Sequence, residues 1–157
     1  MNFAPTPEQE QIQAAIERVC APFDADYWLK KDREGGFPHD FYQAIAQGGW
    51  LGIAMPEQYG GAGLGITEAT IMMQAIAETG GAMSAASAVH MNIFGLNPVI
   101  VYGTEEQKQR ALPPLIRGEQ QACFGVTEPN TGLNTTQLTT RAERQGDRYI
   151  VNGRKVW

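Results

Sequence analysis

The apolar residues of this chain change period near Gly118, and that change restricts the fold more than any other feature. Residues 6–117 carry helix formers with helix punctuation, whereas residues 121–157 shift to Thr, Val and Tyr in alternation. A period of 3.6 buries one stripe of a helix and a period of 2 buries one face of a strand, so neither pattern serves in place of the other. The expectation is a helical part followed by a β part.

In the helical part, Thr6 precedes Pro7, Glu8, Gln9 and Glu10: a cap, a first-turn proline and acids set against the positive end of the helix dipole. Ile12, Ala15, Ile16 and Val19 follow at helical spacing. A second helix is expected over 38–47, with Phe41, Ala44 and Ile45 on one face and Gly48-Gly49 as its stop. Residues 52–65, GIAMPEQYGGAGLG, are too rich in glycine for a helix and read as an ordered loop. Thr67 and Glu68 open a third helix that Gly80-Gly81 ends. Residues 84–102 give a fourth, almost uncharged and therefore expected to be buried on most sides. Thr104 with Gln107 fits a capping box for a fifth, which stops near Pro113-Pro114 or just after. Strands are expected at 122–127, 136–144 and 148–152, with Gln145-Gly146-Asp147 as a turn and a further strand opening at Lys155.

Twelve basic and seventeen acidic residues give a net charge of −5 without any run of Lys or Arg, which argues against a nucleic-acid partner or an anionic membrane surface. The apolar run at 93–102 is broken by Gly95, Asn97 and Pro98, and no membrane span is expected, since one needs roughly 20 residues. The start, MNFAPTPEQEQ, has neither the basic nor the apolar region of a secretory signal. Cys20 and Cys123 lie far apart and suggest no metal or redox pair; they read as reduced, partly buried thiols of a cytoplasmic protein.

Three segments carry a family resemblance: GGWLGIAMPEQYGGAG at 48–63, YGTEEQKQRALPPLIRGEQQACFGVTEP at 102–129 and DRYIVNGRKVW at 147–157. In this order and spacing the chain resembles the acyl-CoA dehydrogenases over essentially its whole length. The resemblance implies a mainly α fold, with an amino-terminal helical bundle over 1–118 followed by the first strands of a small antiparallel β-domain over 119–157. That middle domain would be incomplete, and the family's carboxyl-terminal helical domain absent. It also implies FAD-dependent α,β-desaturation of an acyl-CoA thioester, in which a carboxylate takes the α proton and the β hydrogen leaves as hydride to flavin N5. The implied partners are the acyl-CoA substrate, an electron-transfer acceptor such as a flavoprotein, and further copies in a homodimer or homotetramer at full length.

Within CFGVTEPNTGLN, residues 123–134, the resemblance gives flavin contacts to Phe124, Gly125, Val126, Thr127 and Gly132. A strand end followed by a turn can offer backbone N–H groups to flavin carbonyls and phosphate oxygens, and Thr127 adds a hydroxyl. Taken alone, Thr-Glu-Pro reads as the cap of a strand and the start of a turn rather than as a cofactor contact; the wider pattern reverses that. Where the family has Gly-Ser-Asp this chain has Gly132-Leu133-Asn134, so Leu133 keeps only a backbone N–H for pyrophosphate or substrate, and Thr135 or Thr136 stand next to it as substitute hydroxyls. Trp157 matches the first residue of the family's Trp-Ile-Thr flavin motif, and also reads as an ordinary strand aromatic.

By position, Ser87, His90 and Phe94 border the acyl chain or thioester end of the substrate pocket. His90 stands alone among Ala, Ser and Met and reads as a hydrogen-bonded or pocket-lining residue rather than a base. Glu57, Glu68, Glu78 and Glu128 have ordinary explanations in loop, helix and turn, so no catalytic residue is assigned, and the resemblance puts the base beyond Trp157. The chain alone is expected to be catalytically silent. Gly60, Gly61 and Gly63 follow no strand and read as a structural turn rather than a phosphate cradle. Two other readings remain: a flavin oxidase or monooxygenase on the same fold, and a noncatalytic helical module that binds a partner. Retention of Val126-Thr127-Glu128-Pro129 and Lys155-Val156-Trp157 weighs against the latter.

Overall fold

A computed structural model describes residues 4–156. Its helices are α1 (Pro7–Cys20), α2 (Ala25–Glu34), α3 (His39–Gln47), α4 (Ile66–Ala77), α5 (Ala82–Phe94), α6 (Asn97–Tyr102) and α7 (Glu105–Ile116). Strands β1 (Arg141–Gln145) and β2 (Arg148–Asn152) form an antiparallel pair. The chain divides into two compact units, one ending at Ala122 and one starting at Cys123. The mainly α architecture with a small antiparallel sheet is as the sequence implies.

The helical unit starts as its caps dictate: Thr6 Oγ1 accepts from Gln9 N at 3.3 Å, and Gln9 Oε1 accepts from Thr6 N at 3.0 Å. Ile12, Ile16 and Cys20 of α1 are buried with Phe41 and Ile45 of α3, Met72 and Ile76 of α4, and Ala85 and Val89 of α5. Burial pushes the Cys20 thiol up to about 11, so that cysteine is an inert core residue. Cys123, expected to be partly buried, is exposed. A second cluster joins Met55 and Tyr59 to Leu112, Leu115 and Ile116 of α7. Helix α2 has no counterpart in the sequence reading. It is strongly charged and buries only Trp28, so it lacks an apolar stripe; its signals are Asp24, which caps Tyr27 N at 3.0 Å, and Gly35 at φ 73°.

The expected helix at 84–102 is two helices. Pro98 has no N–H to give the Phe94 carbonyl, and its ring crowds that carbonyl, so the chain breaks at Gly95-Leu96 and Pro98 falls in the first turn of α6. Ala82–Tyr102, at 21 residues and mean hydropathy 1.2, is long and apolar enough to cross a membrane by length and composition alone, beyond the limit read from 93–102. The expected burial on most sides holds for one face only. Ala85, Ala86, Val89, Asn92 and Ile93 are buried, while Met83, Phe94, Val101 and Tyr102 are exposed.

The strand expected at 122–127 does not form, and in the second unit the expected strand at 136–144 shortens to Arg141–Gln145 behind a 3-10 turn at Thr135–Gln137. The cause lies in Thr139 and Thr140, whose N–H groups go to the Glu128 carboxylate instead of a neighbouring strand. The hairpin is closed at Gln145 and Arg148, and Gly146 takes φ 66°, a left-handed position that suits glycine in a two-residue turn.

Candidate functional site

The geometry of residues 123–134, the segment that the resemblance gives to the cofactor, is set by a turn and a carboxylate. Glu128 and Thr131 exchange backbone hydrogen bonds of 3.0 and 3.1 Å around Pro129-Asn130. The Glu128 side chain is only 4 % exposed. Its Oε2 accepts from Thr139 N and Thr139 Oγ1, both at 2.7 Å, and its Oε1 accepts from Thr140 N at 2.8 Å and Lys155 Nζ at 3.0 Å. Thr140 and Thr139 together hold this carboxyl well below the usual carboxylate range. A carboxylate bound by this many donors is in place to organise backbone, and is poorly suited to accept a proton in catalysis.

Upstream of that turn, the N–H groups of Gly125, Val126 and Thr127 have no hydrogen-bond partner among the described residues, while the Val126 and Thr127 carbonyls are engaged. Gly125 is exposed with open space where a side chain would stand, and Phe124 is 57 % exposed. This row of free donors beside open space fits the carbonyl and phosphate acceptors of a flavin nucleotide. Gly132 also faces open space and Leu133 is fully exposed. Asn134 Oδ1 accepts from Thr136 N at 3.3 Å and Thr136 Oγ1 at 2.5 Å, so the Thr136 hydroxyl is occupied locally. Trp157 lies outside the described residues.

Ser87, His90 and Phe94 share one side of α5. His90 Nδ1 is 3.2 Å from the Ser87 carbonyl, and its ring centroid is 5.6 Å from that of Phe94. Ser87 and His90 border an apolar cleft of about 370 Å³ between α4 and α5, together with Thr70, Met73, Ala77 and Met83. Phe94 lies outside that lining.

The glycine loop behaves differently from 125–127. Its successive amides are all spent internally: Gly60 on Glu57 O, Gly61 on Pro56 O, Ala62 on Gly52 O, Gly63 on Met55 O, Leu64 on Ile53 O and Gly65 on Glu68 Oε2. No donor is left for a phosphate.

One polar cluster escapes sequence reasoning altogether. Asn92, 3 % exposed within α5, accepts from Ala122 N at 2.9 Å and donates to Gln120 O at 3.2 Å and to the Tyr42 hydroxyl. Tyr42 in turn donates to Gln120 O at 3.2 Å. An isolated Asn in an apolar helix gives no sign of which distant backbone it will satisfy.

Comparison with known proteins gives these geometries a context. The family model described as acyl-CoA dehydrogenase, N-terminal domain, matches residues 6–119. Mitochondrial isovaleryl-CoA dehydrogenase of Bos taurus is 33% identical over 152 residues, which is 96% of this chain and 35% of that protein. A glutaryl-coenzyme A dehydrogenase solved with glutaryl-CoA superposes with a TM-score of 0.91 at 28% identity, over 100% of this chain and 40% of that one. The prolyl acyl carrier protein oxidase AnaB gives a TM-score of 0.83 at 31% identity, over 97% of this chain and 40% of that one. The chain thus spans well under half the length of these relatives.

Proposed function

Because this chain belongs to the acyl-CoA dehydrogenase family, we propose that it supplies the helical unit and the first flavin-contacting segment of an FAD-dependent enzyme that α,β-desaturates an acyl-CoA thioester. The carrying observation is the row of amides at Gly125, Val126 and Thr127 that have no partner among the described residues, with open space at Gly125, in the segment where the family resemblance puts the flavin. In this reading those amides and the Thr127 hydroxyl bind and orient the ring, Gly132 and the Leu133 N–H face the pyrophosphate, and Phe124 and Trp157 flank the cofactor. FAD, when bound, supplies the acceptor for the substrate's β hydrogen. Ser87, His90, Phe94 and Leu133 are assigned to the substrate, where α5 gives an apolar wall for an acyl chain. None of the chain's residues is assigned the α-proton, and Glu128 is committed to its donors. An electron-transferring flavoprotein as acceptor and a homo-oligomeric assembly complete the proposal.

Similarity to an acyl carrier protein oxidase supports a second reading, in which the reduced flavin is reoxidised by oxygen. One experiment addresses both. The full-length protein should purify with flavin absorbance, bleach anaerobically with an acyl-CoA, and stay bleached when air is admitted without an acceptor. Rapid recolouring in air would favour the oxidase, and a colourless protein that takes up no FAD would reject a flavin function.

A further inference from the structure

Two buried or half-buried charges in the second unit have no role in the proposed chemistry, yet they tie together the chain's two flavin-directed segments. Lys155 Nζ donates to Val126 O at 2.7 Å and to Glu128 Oε1 at 3.0 Å, and Val156 N donates to Thr127 O at 3.1 Å. Lys155 and Val156 immediately precede Trp157 in sequence. The peptide between Val126 and Thr127 is a plane in which C=O and N–H point in opposite directions. Holding the Val126 oxygen on the ammonium therefore turns the Thr127 N–H away from Lys155. The ammonium is itself fixed by a carboxylate that has three further donors and little freedom to move.

We propose that Glu128 and Lys155 are positioning residues: a half-buried ionic clamp that presets the Thr127 amide for the flavin by holding the Val126 carbonyl and the 155–156 backbone in register. The clamp rests on the flavin reading above. It acts before the cofactor arrives, so its loss weakens binding by letting the donors reorient, without removing any group that touches the flavin. Glu128 and Lys155 act as one unit, because the carboxylate positions the ammonium and the ammonium positions the carbonyl.

The test uses the full-length protein stripped of flavin, with FAD affinity read by quenching of flavin fluorescence and ring environment by visible circular dichroism. Lys155→Met and Glu128→Gln should each raise the flavin Kd about 10-fold or more, the loss expected for a hydrogen bond to a charged group. The double variant should sit within about 3-fold of the weaker single, as coupled residues require. The circular dichroism of bound flavin should change at saturation, which a loss of stability alone would not produce. Variants that melt earlier but keep a wild-type Kd and a wild-type flavin spectrum would overturn the clamp. If either single fails to fold, Lys155→Arg decides: it keeps the charge but not the single point donor shared by Val126 O and Glu128, and a wild-type Kd in it also overturns the proposal. Wild-type protein that binds no FAD would instead refute the flavin reading, and the clamp with it.

Discussion

Replacing Asn92 with Leu keeps the branching and heavy-atom count of a buried side chain while putting slightly larger methyls where its polar atoms stand, so it removes what the Asn92 cluster contributes. Three contacts go: those to Ala122 N, Gln120 O and the Tyr42 hydroxyl. Gln120 O and the Tyr42 hydroxyl still have each other at 3.2 Å, so neither is orphaned. The half-buried Ala122 N–H is left without its acceptor; an unsatisfied donor costs about 1–3 kcal/mol when buried, and the lower part of that range applies where water can reach it. With a modest loss for the weakened Gln120 contact, the destabilisation is about 1–2 kcal/mol, or a melting shift of roughly 3–6 °C for a chain of this size. The Asn92→Asp variant separates the components. It keeps an acceptor for Ala122 N but turns a carboxylate toward the Gln120 and Tyr42 oxygens, so its carboxyl is raised and its destabilisation should shrink as the pH falls and the group becomes a donor again. Melting of the apoprotein together with hydrogen exchange at the Ala122 amide provides the assay. A Leu variant within about 0.5 kcal/mol of wild type, the range of an ordinary surface substitution, or an Ala122 amide that stays protected, would refute the reasoning.

Two further outcomes follow from the same contacts. A Cβ at Gly61 would stand 2.1 Å from Met55 O, backbone against backbone, so Gly61→Ala should cost about 2–3 kcal/mol by overpacking; a denaturant midpoint equal to wild type would show that the loop relaxes freely. Glu128 is held below the usual carboxylate value of 4.5, so its contribution is present above that value and is lost as the pH drops through the lowered one. Acid titration of hydrogen exchange at Thr139 and Thr140 should therefore show wild type losing protection below the usual range while Glu128→Gln has a shallower dependence there. Equal slopes in the two proteins would contradict the assignment.

What the sequence shows clearly is what local chemistry decides. Thr6 and Thr104 each start a helix because the cap, the glutamine three residues on and the apolar spacing all lie within one turn of chain. Pro98 carried the break between α5 and α6 just as visibly, but the uniform apolar character of 84–102 masked it. The errors arise where a distant group takes over. The strand expected over 136–144 loses its first residues because Glu128, more than ten positions earlier, claims the amides of Thr139 and Thr140. Helix α2 forms around one buried face, that of Trp28, whose edge-on contact with Phe41 of α3 at 5.1 Å comes from tertiary packing rather than periodicity.

The two glycine-bearing segments show why composition alone could not locate the site. Residues 60–65 look far more like a ligand loop than residues 125–127, which contain a single glycine. Yet a loop receives a ligand through donors it has not already used. In the first segment, tight approach of Gly61 to Met55 and of Gly52 to Ile116 lets the backbone fold back and satisfy every amide from Gly60 to Gly65 on itself. In the second, the Val126 carbonyl is drawn to Lys155 while the N–H on the other edge of the same peptide, that of Thr127, has no partner among the described residues; the next peptide is satisfied on both edges, Thr127 O by Val156 N and Glu128 N by Thr131 O. Because a trans peptide presents its two polar groups on opposite edges, holding the Val126 oxygen on Lys155 turns the Thr127 N–H away from it. On the clamp proposed above, the readiness of the Thr127 amide for a cofactor depends on Glu128 and Lys155, which fix that edge, as well as on the residues that would touch the flavin.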